Sequence, residues 1–191
     1  MTGAVRYCGL CLLLLGLAAF AGTDAGESTA DGGQATAKRD GGHEFDFEFG
    51  DWKVQLSRLL HPLSGSSDWA EYTGTSVVRQ VWGGRANLGE LDVRGPSGRI
   101  EGLSLRLYDP ETRLWSIRWA SSRDGALGPP MIGGFENSVG EFYNQEIYNG
   151  RPVFVRFLFT DVTPDSFRLE QAFSGDGGKT WEANWIARFE R

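Results

Sequence analysis

The sequence contains few of the residues that commonly perform catalysis or bind metals. Its 191 residues include two cysteines, Cys8 and Cys11, and two histidines, His43 and His61. The histidines lack a ligand spacing such as H-x-x-x-H, and no G-x-S-x-G motif occurs. A triad that uses His61 stays open, although no motif points to it. We therefore assign no catalytic residue, metal or cofactor, and we favour a binding protein over an enzyme.

Positive charge is scarce as well. The chain has 19 Lys and Arg residues against 25 Asp and Glu residues, which gives a formal net charge of -6. A broad nucleic-acid-binding surface needs an excess of positive charge. We therefore expect no nucleic-acid partner.

Only one long hydrophobic run occurs, at residues 7–20, and it follows the basic residue Arg6. An A-x-A pattern at residues 19–21 is typical of a signal-peptide cleavage site. The hydrophobic run has about 14 residues, whereas a helix needs roughly 20 to span a bilayer. This short length favours cleavage over an uncleaved anchor. We predict a signal peptide at residues 1–21 and a secreted or periplasmic protein without a stable membrane span. Cleavage would also remove both cysteines.

Residues 22–42 contain no aromatic and no branched aliphatic side chain. Such a segment cannot bury enough apolar area to offset the entropy of ordering it. We therefore predict a disordered linker at residues 22–42. The remaining residues, 43–191, are numerous enough for one folded domain with one core.

In this domain, short stretches alternate apolar and polar residues with the period of a β-strand. Phe residues alternate with acids at residues 45–49, and a first strand begins near Trp52. Turn signals separate the stretches, among them Asn149-Gly150, a strong hairpin signal. We count nine or ten strands and no convincing helix of ten residues. The pattern predicts an all-β sandwich or barrel.

Four arginines lie one residue away from the apolar series of their strands, which predicts that they point to the opposite face: Arg106, Arg118, Arg156 and Arg168. On the strand of Arg106, that apolar series is Leu103, Leu105 and Leu107. We favour a solvated outer face for these arginines. The alternative is a polar site for an anionic ligand, together with Asn87 and Glu90.

The last hairpin contains Ser174-x-Asp176-x-Gly178-x-Thr180-Trp181, which resembles the Asp-box of sialidase-like propellers. A propeller needs more blades than this chain can form. We therefore interpret the motif as a turn in which Asp176 bonds backbone amides. Trp181 is expected to pack into the core beside it.

Residues at the two ends of the domain resemble the calycin signature. Gly50-Asp51-Trp52 gives a G-x-W motif on the first strand, and Arg188 follows Trp185 on the last. In calycins, the tryptophan packs beneath the barrel and an arginine lies across its ring, a favourable cation–π contact.

Four stretches together resemble the DUF1579 family of uncharacterised bacterial proteins: DFEFGDWKV (46–54), GRANLGE (84–90), YDPETRLW (108–115) and FSGDGGKTWEANW (173–185). The resemblance covers residues 43–191. It implies a single antiparallel lipocalin-like β-barrel and carries no established catalytic residues. Nitrobindin-type haem barrels are a related comparison, but both histidines here precede residue 62, which argues against haem.

We expect the barrel to bind a small, at least partly apolar molecule, because many aromatic residues share the predicted inner face. The candidate ligand-binding residues are Trp52, Trp115, Trp119, Phe157, Trp185 and Arg188. One alternative is an enzyme with an arginine-lined site that acts on an anionic small molecule. Another is a protein-interaction module with an exposed aromatic patch. The sequence indicates no oligomeric state.

Overall fold

The computed structural model describes residues 40–191. The predicted signal peptide and residues 22–39 of the predicted linker lie outside the described residues. A short 3-10 helix at Asp46–Glu48 precedes ten strands, and a second one at Trp82–Gly84 joins β2 to β3. The strands are β1 (Gly50–Leu59), β2 (Trp69–Val81), β3 (Ala86–Gly95), β4 (Gly98–Asp109), β5 (Leu114–Ser121), β6 (Met131–Glu136), β7 (Val139–Tyr148), β8 (Arg151–Thr160), β9 (Ser166–Ser174) and β10 (Glu182–Glu190).

The ten strands form a closed antiparallel barrel. Each strand pairs with the next along the chain, and β10 closes the circle against β1, with Phe189 opposite Val54. This confirms the prediction of a single antiparallel barrel of nine to ten strands. The shortest pairing joins β5 to β6, where Ile117 opposes Met131 and Trp115 opposes Gly133.

Alternation of side chains sets the inner face of most strands, as the sequence predicts. On β1, Trp52, Val54 and Leu56 are buried, and the residues between them are exposed. On β8, Val153 and Val155 are likewise buried inside the barrel. The predicted turn at Asn149-Gly150 joins β7 to β8.

On β4 the inner face differs from the prediction. Leu103 is 40% exposed on the outer face, whereas Ser104 and Arg106 are buried. The neighbouring side chain of Trp119 explains this arrangement, because a Cβ atom on the inward Gly102 would lie 2.1 Å from its ring. Small and polar residues therefore occupy the inner face of β4, and its leucines lie outside.

Residues 45–49, here called the plug, close one end of the barrel. They form the first 3-10 helix instead of extending the first strand. Phe45 is fully buried. Its ring centroid lies 4.9 Å from that of Phe135, 5.0 Å from Trp115 and 5.3 Å from Phe159. The helical turn also buries Glu48, which is 1% exposed, in the barrel interior.

Candidate functional site

The barrel contains a cavity of about 470 Å³. Glu48 of the plug lies at its inner end. Arg58 at the end of β1 and Arg123 after β5 also line it and are not buried, so they mark the opposite, open end. The cavity is therefore a pocket along the barrel, closed below by the plug and open at the other end.

Aromatic side chains form the upper wall of the cavity. Trp119 of β5, Phe157 of β8 and Trp185 of β10 line it and are half-buried. The ring centroids of Trp119 and Trp185 lie 6.4 Å apart, with the ring planes inclined by 69°. Edge-to-face pairs of this kind leave ring faces available to an apolar guest.

At the inner end lies a charged group, here called the polar floor: Glu48, Asn87, Ser104 and Arg106. Arg106 Nη2 donates to Glu48 Oε1 at 3.2 Å and lies 3.0 Å from Oε2. The second contact is ionic only, because Oε2 accepts no aligned hydrogen bond. Arg106 Nη1 donates to Asn87 Oδ1 at 2.9 Å. The guanidinium also lies 5.1 Å from the ring centroid of Phe45, a cation–π distance.

Burial shapes the ionisation of this pair. Removal from water raises the pKa of Glu48 to about 7, although the nearby Arg106 opposes the rise. Burial also lowers the pKa of Arg106 from its ordinary value, and Glu48 opposes that effect. Desolvation disfavours the charged form of each group, so the attraction within the ion pair is opposed by the free energy of removing both charges from water.

Two donors of the polar floor have no acceptor among residues 40–191. Arg106 Nε and Asn87 Nδ2 are both buried and make no hydrogen bond there. Buried polar groups in proteins are usually paired, so unpaired ones call for an explanation. Ser104, which is 9% exposed, and Arg106, which is 6% exposed, both line the cavity. Arg106 and Ser104 therefore present donor groups at the cavity, whereas the unpaired Arg106 Nε and Asn87 Nδ2 are fully buried.

A second polar group lies nearer the open end. Gln171 Nε2 donates to Asn184 Oδ1 at 2.7 Å, and Asn184 is the residue at which the register between β9 and β10 shifts. Asn144 Nδ2 donates to Glu146 Oε1 at 3.0 Å. Gln171 and Glu146 line the cavity. These groups make its upper part amphipathic rather than wholly apolar.

The structure divides the six predicted site residues into three groups. Trp119, Phe157 and Trp185 line the cavity together. Trp52 and Trp115 are buried in the closed end and do not line it; Trp115 donates its ring N–H to the Gly41 carbonyl at 3.0 Å. The last of the six, Arg188, is exposed on the outer face of β10.

The predicted stacking of Arg188 on Trp52 is wrong, and Arg191 takes that position. Because Ala187 and Phe189 point inward, alternation places Arg188 on the outer face. Arg191 follows the end of β10, and its guanidinium lies 4.5 Å from the Trp52 ring centroid. Its Nη2 also donates to the Phe49 carbonyl at 2.9 Å. The calycin-like contact is therefore present with a different arginine.

Only one of the four predicted outer-face arginines points inward. Arg106 belongs to the polar floor, which corrects its predicted position. Arg156 and Arg168 lie outside, near Glu170, at 3.8 Å and 2.6 Å. Arg118 donates to the Gly128 carbonyl at 3.1 Å. Glu90 is exposed and paired with Arg79, so it does not join Asn87 in a common site.

The Asp-box forms a hydrogen-bonded turn. Asp176 Oδ1 accepts from the backbone N–H groups of Lys179 and Thr180 at 3.1 Å and 3.0 Å, and these bonds help to lower its pKa. The expected position of Trp181 in the core is wrong. The register shift in β10 leaves it outside, where its ring lies 4.7 Å from the guanidinium of Arg156.

None of the four polar-floor residues was among the six predicted ligand-binding residues; Asn87 and Arg106 were named only for the alternative polar site, and Glu48 and Ser104 were not named for either. An acid inside a phenylalanine-rich run and a serine-arginine alternation opposite Trp119 are the signals that could have indicated them. Within residues 40–191, no cluster of three His, Cys, Asp or Glu side chains is arranged to hold a metal ion. In the same range, no helix is long and apolar enough to cross a membrane.

No family model and no curated protein matches this chain. Among solved structures, it is similar to the S-type phycobiliprotein lyase CPES from Guillardia theta, with a TM-score of 0.51 and 14% identity over 77% of this chain and 89% of that one. A fluorescence-activating β-barrel designed de novo has a TM-score of 0.43 and 15% identity over 78% of this chain and 97% of that one. At such identities, the likeness to the lyase concerns the barrel fold alone.

Proposed function

We propose that this protein binds a small, largely apolar molecule inside its barrel. The observation that carries the proposal is the cavity of about 470 Å³ with one open end. Its volume falls within the roughly 300–1,000 Å³ that is common for ligand sites. Aromatic walls with a few polar groups at defined positions are also typical of such sites.

Small residues on the inner face favour the binding of a ligand over a core filled by side chains. The inner face of the barrel carries Gly89, Ser104 and Ala187 at positions that line the cavity. A large side chain at any of them would occupy the space instead. Since protein interiors are otherwise close-packed, a cavity of this size beside tryptophan rings supports binding of an apolar guest.

Quenching or enhancement of tryptophan fluorescence tests the proposal. The full barrel is titrated with a panel of apolar and amphipathic probes, and saturable changes from Trp119 and Trp185 are expected. Ala187→Phe should obstruct the cavity and weaken binding strongly, because Ala187 is buried and lines it. Ile186→Phe adds a ring at the adjacent position of β10, where alternation points the side chain outward, and should leave binding unchanged.

Two results would contradict the proposal. One is the absence of saturable binding for every probe in the panel. The other is equal binding by both variants, since that would place the probe on the outer surface.

A further inference from the structure

The composition of the polar floor defines the chemistry of a ligand head group. This inference rests on the proposed function, because it concerns the deep end of the same cavity. We propose that the polar floor binds the carboxylate of an amphipathic organic acid through Arg106, and that Glu48 takes up one proton from solvent as the acid binds. The apolar body of the acid then lies against Trp119, Phe157 and Trp185.

Arg106 has donors left after its internal contacts. Each of its two terminal nitrogens carries two N–H groups and donates one hydrogen bond within the described residues, Nη2 to Glu48 and Nη1 to Asn87. The hydroxyl of Ser104 lines the cavity in the same region and makes no hydrogen bond to another side chain in residues 40–191. A carboxylate has two oxygens and several lone pairs, so it suits a guanidinium and a hydroxyl together.

Gly89 allows these donors to pack against β3 at the wall of the cavity. A Cβ atom at this position would lie 2.8 Å from Ser104 Oγ and 3.2 Å from Arg106 Nη1. Gly89 lies opposite Ser104 in the pairing of β3 with β4 and lines the cavity. The absence of a side chain therefore allows the hydroxyl and the guanidinium to lie close to the backbone of β3 at the cavity wall.

Charge balance in the polar floor requires that Glu48 take up a proton when a carboxylate binds. With Glu48 ionised, the empty floor is neutral, and a second carboxylate would leave one uncompensated negative charge in an apolar interior, which is costly. When Glu48 is protonated, the ligand carboxylate and Arg106 form the only ion pair of the floor. The proton moves from solvent to the Glu48 carboxylate, and the total charge of the floor stays zero.

In the part of the chain that the structure describes, no other charged side chain faces this group. The elements packed around the inner end contribute uncharged cavity-lining residues: Val54 of β1, Ser76 and Val78 of β2, Ile117 of β5, Phe159 of β8, Phe167 of β9 and Phe189 of β10. Asp46, on the plug itself, bonds to the exposed His43 at 3.0 Å. Of the other charged residues that line the cavity, Glu90 of β3 is exposed and paired with Arg79, and Arg58, Arg123 and Glu146 lie toward the open end.

The ionisation of Glu48 supports the proton uptake. Because burial raises its pKa to about 7, protonation near neutral pH costs little free energy. Below pH 7 the empty floor already holds the proton, and the affinity for a carboxylate is at its maximum. Above pH 7 the proton must be taken up on binding, so the affinity falls by about tenfold for each pH unit.

Isothermal titration calorimetry with three matched probes tests the inference: decanoate, 1-decanol and decylamine. At pH 6.0 we expect decanoate to bind at least about 10-fold more tightly than 1-decanol, the range expected for hydrogen bonds to a charged group. Between pH 6.0 and pH 8.5 the affinity for decanoate should fall by about 30-fold, and that for 1-decanol should stay constant.

Variants assign the roles of the two charged residues. Glu48→Gln should bind decanoate with the same affinity at both pH values, about 30-fold more tightly than the wild-type protein at pH 8.5. The double variant E48Q/R106M should retain binding of 1-decanol and lose the preference for decanoate. The comparison of the wild-type protein at two pH values decides the question even if the double variant does not fold.

Three outcomes would overturn the inference. If 1-decanol and decanoate bind equally at pH 6.0, the floor does not select carboxylates, although the proposed binding function stands. Tighter binding of decylamine would identify Glu48 as the recognition group. If none of the three probes binds, this inference and the proposed function both fail.

Discussion

Replacing Glu48 with glutamine tests how burial and ion pairing balance at the polar floor. In the folded protein the pKa of Glu48 is about 7, compared with an ordinary value of 4.5. At about 1.4 kcal/mol for each pH unit, this difference corresponds to about 3 kcal/mol. The folded state binds the proton more tightly than the unfolded chain does. The stability that this proton contributes is therefore fully present below pH 4.5 and is lost as the pH rises to about 7.

The expected result follows from the direction of this pKa shift. At pH 4.5 the wild-type protein and Glu48→Gln should have similar free energies of unfolding, because the folded state of each then has a neutral side chain at this position. At pH 8 the variant should be the more stable of the two by about 3 kcal/mol. Taking the difference between the two proteins cancels the titration of the other carboxylates.

Urea unfolding at about pH 4.5, 6, 7 and 8, followed by circular dichroism, measures this difference. Glu90→Gln is the matched control, since Glu90 is an exposed carboxylate paired with Arg79, and exposed pairs contribute little. A difference between the wild-type protein and Glu48→Gln that does not change with pH would refute the reasoning. A variant that is less stable at pH 8 would show that the attraction of Arg106 outweighs the cost of burial.

Three further predictions concern the closed end and the N-terminus. Arg191→Ala should lower the free energy of unfolding by about 1–2 kcal/mol, because it removes the cation–π contact with Trp52 and a hydrogen bond, whereas Arg188→Ala should have almost no effect; urea unfolding compares them. Phe45→Ala should lower the free energy of unfolding by about 3–5 kcal/mol in the same assay, because its fully buried ring packs against five other aromatic rings, and an unchanged stability would contradict the packing role of the plug. We also propose export, with cleavage after Ala21; mass spectrometry of the secreted protein should find residue 22 at its N-terminus, and an intact N-terminus would contradict it.

The barrel was predictable because its signals are local. Alternation on β1 and β8, and turn pairs such as Asn149-Gly150, define strands and hairpins without knowledge of the rest of the chain. The closure of the barrel was expected because residues at the two ends of the domain resemble the calycin signature. The same signals placed Trp119, Phe157 and Trp185 on the inner face, where they line the cavity.

The sequence named Arg106 and Asn87 only for the alternative polar site, and the polar floor as a whole was not predictable because it depends on packing between distant segments. On β4 the leucines gave the stronger apolar series, yet the ring of Trp119 leaves no room for a side chain at Gly102. Only that contact shows that Arg106 points inward. Glu48 enters the barrel because the plug turns as a 3-10 helix, which a run of alternating Phe and acid residues does not indicate.

The exchange of Arg188 for Arg191 has a similar cause. Sequence spacing identified an arginine near the end of β10, but the face of each residue depends on the register of β10 with β1. Arg191 lies beyond the last paired residue, so alternation does not restrict it. Its position across Trp52 is a tertiary contact that only the folded chain reveals.

The most direct test of the proposed function is to identify what the protein carries when it is purified from the cells that produce it. Protein isolated without denaturation is extracted with organic solvent, and the extract is analysed by mass spectrometry beside the same preparation of Ala187→Phe. We predict one organic acid with an apolar body, present in close to stoichiometric amount on the wild-type protein and strongly depleted on the variant. Equal amounts on both proteins, or no small molecule on either, would contradict a ligand in the barrel.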